Sequence, residues 1–393
     1  MKWVKKKISD IGQVIGGATP STKKKDFWDG DVPWITPKDL SGYCFRYIEK
    51  GERNITKDGY DSCSTQMMPK NTILFSSRAP IGYVAIAKNE LCTNQGFKSV
   101  IPNNDTDYLF LYYLLKYQAK NIEKTVGGGG STFSEVSTSA MKNVEVMVPS
   151  FLDQKKIGSL LNAFDEKMEN NIRMNANIEN QIQAIFNERI AVFDSIPEGW
   201  KTTSLDKIAT YLNGLAMQKY PPEKGNDSFP VLKIAELKQG YCDNASDRCS
   251  KNIKEDFIVR NGDVIFSWSA SLFVDVWAGG DCGLNQHLFK VSSNDYDKWF
   301  YYCWTKYYLK DFIREASSKA TTMGHITRDR LTKAVVIIPD KETYAQVGSL
   351  ISSLVEKIIA NKIENKKLSD IRDSLLSKIM SGKLDLTSVK IEE

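Results

Sequence analysis

Two short phrases hold the side chains best suited to recognition. One is CTNQGFKSV, Cys92 to Val100; the other is GLNQHLFKV, Gly283 to Val291. Roughly 190 residues apart, both run Asn-Gln and then Phe-Lys. Asn or Gln pairs with an adenine edge through two hydrogen bonds in the major groove, Arg does so with guanine, and Lys or Arg holds phosphates. Polar and basic loops stand around both phrases: STKKKDFWDG and SSRAPIG in the first half, SWSASLF and TTMGHITRDR in the second. The DNA-contact candidates of the first half are Lys23, Lys24, Lys25, Lys38, Arg78, Asn94, Gln95, Lys98, Ser131 and Thr132. Those of the second half are Lys233, Trp268, Ser269, Asn285, Gln286, His287, Thr321, Thr322, His325 and Arg328. An Asn-Gln shared by both halves also fits a capped bend, because Asn readily bonds its own backbone. Residues common to the halves then mark scaffold. Selectivity is expected where they differ, as at Gly96 against His287.

Catalytic patterns are scarce. VGGGGST, Val126 to Thr132, lacks the Lys-Ser/Thr ending of a phosphate loop and reads as a flexible loop. YPPE, Tyr220 to Glu223, has the Pro-Pro of an amino-methyltransferase motif without its leading Asp or Asn or its trailing aromatic. DQK, Asp153 to Lys155, has a nuclease-like order but sits at a helix start without a partnered upstream acid. The two histidines, His287 and His325, both fall in the second half, so no His-based active site serves both halves. The seven cysteines include no C-x-x-C pair, which speaks against a zinc site and fits reduced thiols in the cytosol. A net charge of +5 permits a nucleic-acid partner without demanding one. No apolar run suggests a signal peptide or a membrane span.

The elements that must position these residues are written twice. DVPWITPKDLSGYC matches SFPVLKIAELKQGYC, PKNTILFSS matches VRNGDVIFSW, and YLFLYYLLKY matches KWFYYCWTKYYL. STFSEVSTSAMKNVEVMVP matches TTMGHITRDRLTKAVVIIP, and KIGSLLNAFDEKMENN matches QVGSLISSLVEKIIAN. The matches are collinear, which a duplication explains and chance does not. Each copy opens with β-rich segments and short helices separated by Gly, Asn and Pro, an α+β domain.

Each copy then ends in a long helix with an apolar seam in steps of three and four. The first seam holds Ile157, Leu161, Phe164, Met168 and Ile182, interrupted by Asn171 and Asn175. The second holds Val347, Ile351, Leu354, Ile358 and Leu375, interrupted by Asn361 and Asn365. Each helix is the other's obvious partner. Buried Asn would set the register of the pair, whereas Asn off the seam would face water. The connectivity admits a parallel or an antiparallel pair. The expected segments are a domain at 1–149, a helix at 150–194, a second domain at 195–340, a helix at 341–384 and a tail at 385–393.

Several of these stretches resemble the specificity subunits of type I restriction-modification systems. They are IGQVIGGATPSTKKKDFWDGDVPWITPKDL, SSRAPIGYVAI, the NQG phrase and VMVPSFLDQKKIGSLL. The junctions into the helices and the second opening, LNGLAMQKYPPEKG, depart from the family pattern. The resemblance implies two similar globular target-recognition domains separated by two long antiparallel coiled-coil helices with a pseudo-twofold repeat. Each domain would read half of a bipartite, asymmetric site in double-stranded DNA. Two modification (M) subunits and the restriction (R) subunits would join, with no membrane partner. The chain itself would be non-catalytic, cytoplasmic and without cofactor or metal, since S-adenosylmethionine, ATP and Mg bind the partner subunits. The competing reading is a coiled-coil scaffold that binds only protein partners; an enzyme ranks third.

Overall fold

In the computed structural model, which describes residues 1–78, 80–126, 135–192, 195–223, 225, 227–318 and 326–386, the run ILFSS forms the strand Ile73–Ser77. All five positions are buried because both faces of its sheet are covered. Ile73 and Phe75 pack toward the helix Tyr108–Val126, while Leu74 packs on the opposite face with Phe97, Ala85 and Ala87. The sheet has five strands in the order Gly12–Gly16, Lys98–Pro102, Ile73–Ser77, Ile81–Ala87, Tyr47–Ile48. A separate antiparallel pair joins Val4–Lys7 to Glu145–Val148, tying the start of the half to its end.

The second half repeats this plan. Its sheet runs Thr210–Asn213, Leu288–Ser292, Val264–Ser267, Phe273–Val276, the same order with no fifth strand among the described residues. Lys201–Ser204 pairs with Val335–Ile338, as Val4–Lys7 does with Glu145–Val148. The parallel bridge of Trp34–Ile35 with Cys92–Thr93 recurs as Ser228–Leu232 with Cys282–Leu284. There the second half adds Arg248–Ser250 and Ile258–Val259 to make four strands. Its equivalent of the aromatic helix is Lys298–Ser318.

The two seams form helices of 36 residues, Phe151–Phe186, and 40 residues, Lys341–Met380. The chain divides into one compact unit of 1–169 with 368–393 and another of 170–367. Each unit therefore holds one globular half, the start of the helix that follows it and the end of the other helix. In the first unit, Ile157 and Leu161 share a core with Leu376, Ile379 and Met380. In the second, Val347, Ile351 and Ile358 share one with Ile178, Ile182 and Phe186. Buried positions 161, 165, 168 and 169 recur as 351, 355, 358 and 359. Phe164 and Leu354 are half-buried at the seam edge, and at the C-terminal end Leu376 is fully buried where Leu375 is only partly so. A helical turn of 3.6 residues drifts from any fixed step of three and four, which moves the seam by one position over this length.

Each long helix carries a glycine where it crosses the aromatic helix. A Cβ on Gly158 would lie 2.6 Å from Asp107 Oδ1 and 3.0 Å from Phe110 N; one on Gly348 would lie 2.7 Å from Trp299 Nε1. Glycine inside a helix costs about 0.5–1 kcal/mol against alanine. The close approach it permits lets the helix bury its stripe on its own domain.

Candidate nucleic-acid interface

The Asn-Gln phrases are turns at the end of a central strand. Asn94 Oδ1 accepts from Gly96 N at 2.8 Å, and Asn285 Oδ1 accepts from His287 N at 3.2 Å. Both amides therefore brace the bend. Gly17 and Gly214 pass directly over these turns, where a Cβ would stand 2.1 Å from Thr93 O and 2.2 Å from Asn285 O. Two further hydrogen bonds recur. Ser77 N donates to Gly96 O at 2.7 Å and Trp268 N donates to His287 O at 3.4 Å. Ser76 Oγ donates to Pro80 O at 2.7 Å, and Ser267 Oγ donates to Ser271 O at 2.8 Å. Ser77, Arg78 and Gly96 thus correspond in space to Trp268, Ser269 and His287.

This correspondence corrects the shared Phe-Lys reading. GLNQHLFKV has one more residue between Gln and Phe than CTNQGFKSV. Strand pairing sets Val100 opposite Ile73 and Val291 opposite Val264, and the neighbouring bridges set Phe97 opposite Ser76 and Leu288 opposite Ser267. Lys98 therefore matches Phe289, not Lys290. A one-residue slip sends a strand side chain to the other face. Lys290 points away, donating to Ile258 O at 2.9 Å and pairing with Asp263 at 2.9 Å.

In the first half the result is an ionic cluster. Lys98 Nζ, on a side chain only 10% exposed, donates to Gln95 O at 3.3 Å and lies 3.5 Å from Glu135 Oε1. Glu135 Oε2 accepts from Arg78 Nη1 at 3.4 Å. Gln95 is exposed, and its Oε1 meets the Thr19 hydroxyl. Val136 N donates to Ser77 O at 2.9 Å, which places Glu135 beside Arg78.

In the second half the cluster is aromatic. Trp268 stacks on Phe289 with centroids 5.6 Å apart, and its Nε1 donates to Asn213 Oδ1 at 3.0 Å. The exposed His287 has Nδ1 3.0 Å from Ser269 Oγ and Nε2 3.4 Å from Gln286 Nε2.

Other candidates lie elsewhere. Lys38 is exposed and pairs with Glu52 at 2.6 Å, next to the Pro37 ring that abuts Gly96. Hydrogen bonding to Glu52 raises the pKa of Lys38 above its ordinary value. Lys233 heads the helix Ile234–Gln239 at the position matching Thr36, and it pairs with Asp247. Lys23, Lys24 and Lys25 occupy an exposed turn, with Lys24 over the Phe27 ring at 4.9 Å. Arg328 is exposed at the start of the helix Arg328–Lys333. Ser131, Thr132, Thr321, Thr322, His325 and most of the VGGGGST loop lie outside the described residues. Residue types and spacing alone missed Glu135, Phe289 and Asn213. The collinear matches already set Glu135 opposite His325; they gave no reason to look for an acid among bases.

Between the helices of the second unit, Asn171 Nδ2 donates to Asn365 Oδ1 at 2.8 Å, and Asn361 Nδ2 donates to Asn175 Oδ1 at 2.8 Å. Asn171 and Asn361 are each 1% exposed. As one number rises by four the other falls by four, so the helices run antiparallel there. In the first unit, Asp165 accepts from Arg372 on the opposite helix and from Tyr113 Oη at 2.6 Å. Burial, with the Asp165 charge beside it, drives the Tyr113 hydroxyl far above its ordinary pKa, which keeps it a donor. Arg46 pairs with Glu169 at 2.9 Å, both nearly enclosed. The second unit has Val355 and Ile359 at the places of Asp165 and Glu169, and it fixes the first helix by Tyr302 Oη donating to Glu179 at 2.7 Å.

Among the described residues, no group of three His, Cys, Asp or Glu side chains could hold a metal ion. No described helix is long and apolar enough to cross a membrane.

The family model of the type I restriction modification DNA specificity domain matches residues 1–180 and again 197–372. The chain is 36% identical over 406 residues to the type I restriction enzyme MjaIX specificity subunit of Methanocaldococcus jannaschii, covering 97% of this chain and 93% of that one. It is 31% identical over 175 residues to the HindI specificity subunit of Haemophilus influenzae, covering 43% of this chain and 37% of that one. The solved S subunit of a type I system from M. genitalium shares the fold, with a TM-score of 0.55 at 17% identity over 96% of each chain.

Proposed function

The chain belongs to the non-catalytic specificity subunits of type I restriction-modification systems, and on that premise we propose that each globular half reads one half of a bipartite site in double-stranded DNA. One observation carries this reading. The same strand-end turn, closed by the same hydrogen bonds, presents Arg78, backed by the enclosed Lys98, in one half and Trp268 and His287, backed by the buried Ser269, in the other. A shared frame with different tips suits two different half-sites. It does not suit one repeated protein contact.

The paired helices act as the spacer between the readers. Their antiparallel Asn pairs fix the register, since only one alignment lets the amides bond each other. Helices of 36 and 40 residues are about 54 and 60 Å long at the standard rise. That length is enough to serve half-sites one DNA turn apart, roughly 34 Å. Two heads on one chain also raise the effective concentration of the second contact once the first has formed.

Methylation of adenine N6 in a duplex requires the base to leave the stack. That step, with S-adenosylmethionine, belongs to the modification subunits, which dock on the helices. Restriction subunits supply the ATP- and Mg-dependent work, and the complex operates in the cytoplasm.

The spacer is tested by inserting about one helical turn, roughly four residues, at matching points of both helices. The unread gap in the methylated site should widen. A mutant that methylates with the original gap would refute the spacer role. Purified chain alone is expected to transfer no methyl group.

A further inference from the structure

Building on the reading of each half as one DNA-reading head, we propose that Arg78, positioned by Glu135, reads a guanine in the half-site of the first head. At the matching place the second head has Ser269 and so reads its base without a guanidinium.

Residues 1–149 contain three arginines, Arg46, Arg53 and Arg78. Arg46 is buried against Glu169 and Asn162 on the long helix. Arg53 is paired with Asp29 at 3.1 Å and lies over the Trp28 ring at 4.3 Å. Arg78 alone stands at the strand-end turn, with its side chain 36% exposed.

Its base is held from three sides. Ser76 Oγ donates to Pro80 O at 2.7 Å and accepts from Tyr83 N at 2.8 Å, which closes the loop. Ser77 N is tied to Gly96 O at 2.7 Å, and Ser77 O to Val136 N at 2.9 Å.

The guanidinium is aimed as well. Glu135 takes Arg78 Nη1 with one carboxylate oxygen and approaches Lys98 with the other. Lys98 is itself anchored on Gln95 O and is almost enclosed, so it steadies Glu135 instead of reaching a phosphate. Among the described residues the remaining edge of the Arg78 fork has no protein acceptor. Two parallel N–H donors on a planar fork match guanine O6 and N7, which is the geometry a lysine cannot supply.

The test uses the chain assembled with its modification subunits and a duplex carrying its mapped target. Binding is compared across duplexes in which each base pair of the first half-site is exchanged in turn. Arg78→Ala should lose about 10- to 100-fold discrimination at one guanine and leave the second half-site unchanged. Arg78→Lys, which keeps the charge without the fork, should lose as much. Replacing that guanine by 7-deazaguanine should weaken the wild-type complex and leave Arg78→Ala unaffected. Glu135→Gln should reduce discrimination at the same base pair with the thermal midpoint unchanged, a result a purely structural role would not produce.

If Arg78→Lys keeps full discrimination, or if Arg78→Ala weakens every duplex evenly and lowers the salt slope by about one, Arg78 is a phosphate contact and the proposal is wrong. If the wild-type complex discriminates at no base pair of a first half-site, the two-head reading fails, and this inference fails with it.

Discussion

At matching places in the repeat, the first half puts ions where the second puts a ring, a hydroxyl and aliphatic groups. Lys98 answers to Phe289 and Arg78 to Ser269 at the tip; Asp165 and Glu169 answer to Val355 and Ile359 where the helix docks. The backbone bonds around these positions are nevertheless the same. What the halves share is glycine clearance, the bent Asn turn and an apolar sheet. Charge is the part free to vary, both at the strand-end turn and at the joint with the long helix.

The joint gives the largest expected effect. Asp165→Ala leaves Arg372 enclosed without its main partner and should cost about 3–5 kcal/mol in chemical unfolding. Replacing Asp165 and Arg372 together by Val and Met, which makes the first joint resemble the second, should recover the part of that loss due to the unpaired Arg372, leaving the cost of the Tyr113 hydroxyl without its acceptor. If the double variant is as unstable as the single one, the ion pair is not what distinguishes the two joints.

Next come the crossing glycines. Gly158→Ala and Gly348→Ala each force a Cβ into a packed contact and should cost about 1–3 kcal/mol. Gly158 should be the worse, because its Cβ meets the backbone N of Phe110 while that of Gly348 meets a side-chain ring. Equal and negligible losses in thermal unfolding would show that the helices do not need this approach.

The smallest effect concerns the surface lysines. Changing Lys23, Lys24 and Lys25 to Ala should lower the salt dependence of DNA binding by about one logarithmic unit of slope for each phosphate no longer held. Lys290→Ala should leave that slope unchanged, because its ammonium is engaged by Asp263 and Ile258 O. A drop in slope for Lys290→Ala would place that residue on the DNA face and undo the strand correspondence.

Much of this was legible from residue order. The repeat, the helical seams and the absence of catalytic motifs follow from periodicity and spacing. The slip was not. NQGFK and NQHLFK look like one phrase until strand pairing shows Phe97 and Phe289 on opposite faces. Leu375 and Leu376 both suit a seam, and only the accumulated helix phase separates them. Glu135 escaped because an acid among candidate DNA contacts makes sense only once Arg78 and Lys98 are seen on either side of it. The Asn pairs were visible as a pattern, but whether they faced each other depended on which way the helices ran.

The central claim is that the halves read independently. Its most direct test replaces residues 1–149 with the corresponding domain of another family member, assembles the complex and maps the methylated sites. One half-site should change while the other half-site and the gap stay as they were. A change in both half-sites, or in neither, would contradict the account.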